Sequence, residues 1–231
     1  MRRLLLLVEG QTEEGFVKSC LAPHLRHHGV EATAIVVTTS RDQRTGAKYT
    51  GGGRWSSWHR DLRRLLPARR DPDRRVSTLF DLYGLPPDFP GLADVVSAPD
   101  SVARAERAET QIAAAVEHDE RFLPYVQRHE FEALVLAALD SLSSFLDTDD
   151  QRAGMTSLQE EIAGIAPEDV NDGPDTAPSK RLLRALPGYQ KTLHGLLAVE
   201  DHGLARIRET CPRFSEWVRR LEEFGWTSGD S

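Results

Sequence analysis

The sequence has few cysteines and no long apolar run, and both absences exclude classes of protein. Cys20 and Cys211 are the two cysteines among 231 residues. They lie far apart in helix-like contexts, which favours buried free thiols over a disulfide or a thiolate metal site. No apolar run approaches the roughly 20 residues that a membrane-spanning helix needs. We therefore expect no membrane association.

The first eight residues resemble a secretion signal, because Arg2 and Arg3 precede an apolar stretch. That stretch is shorter than the roughly 7–15 residues of a signal core, and no small-residue cleavage site follows it. We interpret it as a strand of a cytoplasmic protein. A Gly-x4-Gly-Lys-Ser/Thr loop is also absent from the sequence. Any ATPase activity would therefore have to come from another protein.

The net charge of −7 gives no general attraction to nucleic acid. The segment 41–75 is nevertheless rich in Arg and Lys, and a phosphate-bearing partner would be drawn to it. A solvated surface is the alternative explanation. The polar, glycine-rich stretch 40–53 is predicted to be a long mobile loop. The residues in or next to it that we expect to guide a nucleic-acid backbone are Arg41, Arg44, Lys48 and Arg54.

Apolar strands alternate with amphipathic helices in the first part of the chain. Predicted strands cover 4–8, 31–38, 75–82 and 121–127, and predicted helices cover 12–28, 55–66, 101–118 and 130–139, the first of them capped by Thr12. This alternation predicts an α/β fold with an open, mostly parallel sheet and helices on both faces. After residue 146 only helices are predicted. We expect a core of residues 1–146 and a helical region of residues 147–231.

Acidic residues lie at the end of three predicted strands or shortly after it. They are Glu9, Asp81 and Glu130. The carboxyl ends of parallel strands lie on one edge of a sheet, so these side chains should converge there. Converging carboxylates repel unless a cation neutralises them, and oxygen ligands suit Mg²⁺ or Mn²⁺. Each residue alone could also be an ordinary charged residue at a strand end.

The neighbours of Glu130 are His129 and Glu132. Either side chain could assist proton transfer. His129 could equally be a structural hydrogen-bonding residue, and Glu132 could interact with the positive end of a helix.

A second polar cluster lies in NDGPDTAPSKRLL, residues 171–183. Thr176 or Ser179 could cap a helix that carries Lys180 in its first turn. Such a helix terminus is a competent phosphate site, so Ser179 and Lys180 are candidates for binding the substrate. An ordinary capped surface helix is the alternative.

Four segments carry a resemblance to a known family: VEGQTEE, TLFDLYGLPPDFPG, PYVQRHEFEAL and NDGPDTAPSKRLL. They resemble a bacterial domain-of-unknown-function family, number four-two-seven-six, which is related to Toprim domains. The resemblance covers nearly the whole chain. Toprim domains occur in topoisomerases, primases and overcoming-lysogenization-defect (OLD) nucleases. They pair a Glu after the first strand with a later Asp-x-Asp motif, and they use Mg²⁺ for phosphoryl transfer.

The resemblance implies roles for several residues. Glu9 matches the Toprim glutamate and Asp81 the first Asp of the motif, whereas Tyr83 replaces the second Asp. Glu130 would substitute for that lost carboxylate. Lys180 resembles the lysine that OLD-type nucleases place near the scissile phosphate.

These features imply a Mg²⁺-dependent nuclease acting on nucleic acid, in a defence or mobile-element system with a AAA-type ATPase partner. Glu9, Asp81 and Glu130 would hold the metal, and Tyr83 would line the substrate site. The alternative is a non-catalytic Toprim-like module that docks on the ATPase, which the loss of an Asp at Tyr83 and the acidic net charge both favour.

Overall fold

The computed structural model describes residues 1–41, 48–50, 53–67, 71–171, 173 and 176–224. The chain divides into two compact units. The first contains Met1–Arg128 together with Arg220–Ser231, and the second contains His129–Arg219. The boundary expected after residue 146 stays a prediction.

A parallel sheet forms the centre of the first unit. Strand β1 (Arg2–Val8) lies between β2 (Val30–Val36) and β5 (Arg74–Asp81). It pairs in parallel with both of them. Strands β6 (Phe122–Leu123) and β7 (Val126–Gln127) both pair in parallel with β5. The predicted α/β fold is confirmed. Where one strand was expected over 121–127 there are two short ones, because Pro124 lies between them and cannot donate to a ladder.

A two-stranded hairpin replaces part of the predicted loop. Strands β3 (Thr38–Arg41) and β4 (Lys48–Thr50) pair antiparallel, with Arg41 opposite Lys48. The loop prediction was wrong at these positions, because it gave more weight to the glycines than to the threonines and Tyr49, which favour strands. The rest of the predicted loop, residues 42–47 and 51–52, lies outside the described residues.

One continuous helical stretch connects β1 to β2. It consists of α1 (Gln11–Phe16), a π-helical segment (Val17–Leu21) and α2 (Ala22–His27). The predicted cap at Thr12 was wrong: Gly10 is the N-cap, and its N–H donates to Glu13 Oε2 at 2.8 Å. Apolar side chains from all three segments are completely buried, namely Phe16, Val17, Leu21 and Leu25.

Helices cover both faces of the sheet. Leu7 and Phe80 share an apolar core with Trp58 of α3 (Trp55–Leu65) and with α5 (Ser101–Ala115), next to the short α4 (Leu92–Val96). The rings of Trp58 and Phe80 are 4.1 Å apart. Neighbouring residues of a strand point to opposite faces, so the buried Leu6 faces the other side, where the helix of residues 11–27 packs on β2.

The described residues of the second unit contain helices and turns and no strand. Its helices are α6 (Glu132–Ala137), α7 (Leu139–Ser143), α8 (Asp149–Glu161), α9 (Pro178–Ala185), α10 (Leu196–His202) after a π-helical segment (Lys191–Gly195), α11 (Leu204–Thr210) and the first part of α12 (Pro212–Glu223). The fully buried Glu168 carboxylate accepts the N–H groups of Arg213 and Phe214, and so caps α12. Among the described residues, no helix is long and apolar enough to cross a membrane.

Candidate metal-binding carboxylates

Glu9 and Asp81 lie together at the carboxyl edge of the sheet. Strands β1 and β5 are neighbours, with Val8 opposite Leu79, so the next residues of both strands emerge side by side. Glu9 Oε2 accepts the N–H of Asp81 at 3.1 Å. Within the first unit, the predicted convergence of these two residues is therefore present.

Gly84 holds the Glu9 carboxylate from the other side. It ends a single 3₁₀ turn, Leu82–Gly84, that follows Asp81 directly. A Cβ built on Gly84 would lie 2.2 Å from Glu9 Oε1 and 2.5 Å from Oε2. Only glycine leaves room for the carboxylate here. Sequence reasoning missed this role, because the sequence does not show which atom lies beside a glycine.

The donor atoms at this edge fit a divalent cation. Asp81 Oδ1 is buried, and the Glu9 carboxylate lies against the backbone of residues 81 and 84. Carboxylate oxygens in a restricted space are ligands of the kind that Mg²⁺ and Mn²⁺ prefer. Tyr83 lies in the same turn and is 40% exposed, and it offers no carboxylate.

In the second unit, Glu130 interacts with the start of α9. Its Oε2 accepts the backbone N–H of Ser179 at 3.0 Å. Neither Thr176 nor Ser179 caps this helix: the N-cap is Ala177, and the Thr176 hydroxyl donates to Gly173 O. The Glu130 carboxylate thus satisfies one of the first N–H groups of α9. Its convergence with Glu9 and Asp81 stays a prediction.

Ser179 and Lys180 occupy adjacent positions in the first turn of α9. Ser179 is buried, whereas Lys180 is exposed. The structure therefore brings three predicted residues, Glu130, Ser179 and Lys180, to one helix terminus. An exposed Lys at such a terminus suits a phosphate group.

His129 is held in an unusual backbone conformation. Its φ is +63°, which residues other than glycine seldom adopt, and the side chain is only 4% exposed. Nδ1 lies 3.3 Å from the Nδ2 atom of Asn171. If the Asn171 amide donates to Nδ1, the ring proton is on Nε2. The contact with Asn171 was not predicted from the sequence.

Glu132 forms a buried ion pair near the start of α6. Its Oε1 lies 2.8 Å from Lys191 Nζ, and only 3% of the residue is exposed. Burial raises the pKa of Glu132, and the attraction of Lys191 opposes this shift. Burial also raises the pKa of the nearby Tyr189 hydroxyl, and the charge of Glu132 adds to that effect. Sequence reasoning missed Lys191 and Tyr189, although they lie close together in GYQKTLHG.

The structure describes some of the Arg and Lys residues that we expect to guide a nucleic-acid backbone. Arg54 is exposed and directly precedes α3. Arg41 and Lys48 are paired across the β3–β4 hairpin, and Arg44 lies outside the described residues. Their role in binding stays a prediction.

The fold and the two carboxylates define an α/β protein with an acidic site at the carboxyl edge of a parallel sheet. The chain belongs to the family described as "Domain of unknown function (DUF4276)", whose sequence profile matches residues 8–222. This confirms the family resemblance found in the sequence. No curated protein matches the chain significantly.

Two solved structures are distantly similar to the chain. Both are of the C-terminal region of the OLD protein from Xanthomonas campestris pv. campestris, one phased with mercury and the other with platinum. The first has 13% identity and a TM-score of 0.37, covering 94% of this chain and 96% of that one. The second has 13% identity and a TM-score of 0.39, covering 95% of each chain.

Proposed function

We propose that the protein is a Mg²⁺-dependent phosphodiesterase that cleaves nucleic acid. The observation that carries this proposal is the pairing of Glu9 and Asp81 at the carboxyl edge of the sheet, with Glu9 Oε2 3.1 Å from the Asp81 nitrogen. The similarity of VEGQTEE and TLFDLYG to Toprim motifs supports the same reaction. Mn²⁺ would serve in place of Mg²⁺, because both are bound by oxygen ligands.

Three carboxylates are proposed to bind the metal ion of this site. Glu9 and Asp81 would hold the ion, and Gly84 leaves the room that the Glu9 carboxylate occupies. The bound ion would neutralise charge on the phosphoryl oxygens and lower the pKa of a bound water. Glu130 is proposed as the third carboxylate, in the position that Tyr83 leaves without one.

Residues of the second unit supply the remaining roles. Lys180 is exposed at the start of α9, where its ammonium group would contact a substrate phosphate. His129 is proposed to move a proton, because its imidazole is held in one orientation beside Asn171. The ion pair with Lys191 makes Glu132 a less suitable proton carrier. Tyr83 and Ser179 would border the substrate.

The remaining parts of the proposal concern how nucleic acid is guided to the site and which protein acts as the partner. Arg41, Arg44, Lys48 and Arg54 would guide the nucleic-acid backbone. A AAA-type ATPase would act as the partner in a defence or mobile-element system, since the sequence has no Gly-x4-Gly-Lys-Ser/Thr loop of its own.

The test is a cleavage assay on DNA and RNA with Mg²⁺ or Mn²⁺, with and without the product of any ATPase gene beside this one. We expect Glu9→Gln and Asp81→Asn to abolish cleavage without unfolding the chain. Glu31→Gln is the matched control, because Glu31 is an exposed acidic residue of the neighbouring strand β2. Equal cleavage by the wild-type protein and both site variants would contradict the proposal.

A second function is a non-catalytic module that docks on the ATPase. The observation that favours it is Tyr83, which takes the place of a metal-binding Asp and is 40% exposed. Calorimetry separates the two functions. Binding of Mg²⁺ or Mn²⁺ that is lost in Glu9→Gln supports the enzyme, and no binding to the wild-type protein supports the docking module.

A further inference from the structure

Two histidines and a glutamate of the first unit meet far from the carboxylates described above. His24 lies in α2, His28 follows its last residue, and Glu222 lies in the last turn of α12. His24 Nε2 is 2.6 Å from Glu222 Oε1, and His28 Nε2 is 3.9 Å from the same oxygen. One donor atom from each residue lies within 4.8 Å of the other two.

We propose that His24, His28 and Glu222 form a Zn²⁺-binding site. Two imidazole nitrogens and one carboxylate oxygen are a ligand set that zinc takes in proteins, with water in the fourth position. Histidines four residues apart on a helix point the same way, so their Nε2 atoms face one ion. Mg²⁺ and Ca²⁺ prefer sites made of oxygen atoms alone, so this set selects against them.

The geometry needs only a small adjustment to hold the ion. Zinc bonds to nitrogen and oxygen are about 2.0–2.1 Å long, so ligand atoms around a tetrahedral ion lie ~3.4 Å apart. The distances from Glu222 Oε1 to His24 Nε2 and His28 Nε2, 2.6 and 3.9 Å, lie on either side of that value. In binding through Nε2, each imidazole keeps its single proton on Nδ1.

The exposure of the three side chains suits an ion that keeps one water. The Glu222 side chain is 13% exposed, and those of His24 and His28 are 29% and 30% exposed. The carboxylate is thus largely enclosed, whereas solvent reaches both imidazoles. The two rings lie side by side, with centroids 5.0 Å apart.

This site is separate from Glu9 and Asp81. His28 precedes Val30, which pairs with Arg2 at the start of β1, whereas Glu9 follows the end of that strand. A strand rises ~3.3 Å per residue, so the seven residues of β1 separate the two edges by about 20 Å. The ligands also differ in kind, since one set contains imidazoles and the other carboxylates only.

Binding at this site would join distant parts of the chain. His24 and Glu222 are 198 residues apart in sequence, and Arg2 also donates to the backbone oxygen of Phe224 at 2.9 Å. An ion bound by α2 and α12 therefore links the end of α12 to α2 within the first unit. An ion that binds only the folded state also raises the melting temperature.

The test is a titration of the metal-free full-length protein with Zn²⁺ by calorimetry. We expect one ion per chain, and weaker binding by His24→Gln and Glu222→Gln. The loss should be at least the roughly 10–100-fold that removal of an outer hydrogen-bond partner of a metal ligand causes. His27→Gln is the matched control, because His27 lies on the same helix and is exposed. No binding by the wild-type protein, or equal binding by all variants, would overturn the proposal.

A spectroscopic measurement on the wild-type protein avoids any variant that fails to fold. Co²⁺ in this site should give the visible bands of a four-coordinate ion with nitrogen and oxygen ligands. Cys20 lies one turn before His24, so a strong near-ultraviolet thiolate band would mean that the ion is bound elsewhere, and this would refute the ligand set. Displacement of Co²⁺ by Zn²⁺, and not by Mg²⁺, is the expected outcome.

One further variant separates this inference from the proposed function. Glu9→Gln should bind Zn²⁺ as tightly as the wild-type protein, even though it loses Mg²⁺-dependent cleavage. If Glu9→Gln abolishes Zn²⁺ binding, the ion is held by the carboxylates and the histidine site is refuted.

Discussion

The backbone of Gly84 lies directly against the carboxylate of Glu9. A Cβ at position 84 would be 2.2 Å from Oε1, a separation that atoms do not tolerate. Gly84→Ala should therefore push the Glu9 side chain away from the Asp81 N–H, and Mg²⁺ binding should be lost. Calorimetry of the purified variant measures this effect, and circular dichroism checks that it is folded.

The control for that variant is Gly10→Ala. Gly10 also lies next to Glu9, but it has extended backbone, and its Cβ would lie at an ordinary 3.4 Å from Glu13 Oε2. Alanine is a poorer N-cap than glycine, so we expect a loss of roughly 0.5–1 kcal/mol in stability. Mg²⁺ affinity should not change. Equal Mg²⁺ binding by both alanine variants would show that Gly84 does not position the carboxylate.

A carboxylate at position 83 should strengthen the metal site. Tyr83 lies in the 3₁₀ turn after Asp81 and is 40% exposed, so its replacement leaves no large cavity in the core. Tyr83→Asp adds a third negative oxygen ligand near Glu9 and Asp81, and we expect tighter Mg²⁺ binding in calorimetry. Tyr83→Asn places a side chain of the same size as Asp, but without its charge, and should give a smaller gain in Mg²⁺ affinity. If both variants bind as weakly as the wild-type protein, residue 83 does not face the ion.

The close contact between α8 and α9 predicts a large effect on stability. A Cβ at Gly154 would lie 1.8 Å from the backbone oxygen of Ala185, and a backbone atom cannot rotate away. Gly154→Ala should lower the free energy of unfolding by about 1–3 kcal/mol or more, as overpacking does. Ser157→Ala, at an exposed position of the same helix, is the control and should unfold nearly as the wild type does. Urea denaturation measures both.

Burial of Glu132 predicts a dependence of stability on pH. Its pKa is raised in the folded state by burial, with Lys191 opposing the shift and Glu130 adding to it. The folded protein therefore keeps this proton longer than the unfolded chain does. Stability from this group is fully present below the ordinary value of 4.5 and is lost as pH rises through the folded-state pKa.

Thermal unfolding of Glu132→Gln from pH 4 to pH 8 tests this dependence. The variant cannot titrate, and its side-chain oxygen still accepts a hydrogen bond from Lys191. We expect its melting temperature to fall less with rising pH than that of the wild-type protein. Glu160→Gln changes an exposed residue, and its melting temperature should depend on pH as that of the wild-type protein does. Parallel curves for the wild type and Glu132→Gln would contradict the prediction.

The sheet could be predicted from the sequence because its two central strands have clear patterns. Leu4–Val8 is a short continuous apolar run, and Val76–Phe80 consists of β-branched and aromatic residues with Ser77 and Leu79 between them. Their parallel order follows from the helices that lie between the strands along the chain. The β3–β4 hairpin was missed, because its strands are short and polar and have no apolar face to mark them.

The candidate site was predictable only in its charged residues. Glu9 and Asp81 could be placed from the rule that parallel strands end on one edge, and they do meet there. Gly84 could not be assigned a role, because its function is to leave space, and the sequence does not show which atom fills that space. His24 and Glu222 were missed because they are 198 residues apart and no periodic pattern links them.

The π-helical segment Val17–Leu21 has a consequence for how the first helix tolerates insertions and deletions. A π turn holds one more residue than an α turn, as if a residue had been added to a regular helix at this point. Deleting Ser19 would convert the segment to regular α-helix and leave the residues on either side of it in the same phase. Leu25 would stay against the sheet, and His24 would stay beside Glu222. A deletion elsewhere in the helix would instead rotate everything after it by about 100°, so the π segment is the place where this helix tolerates the loss of a residue.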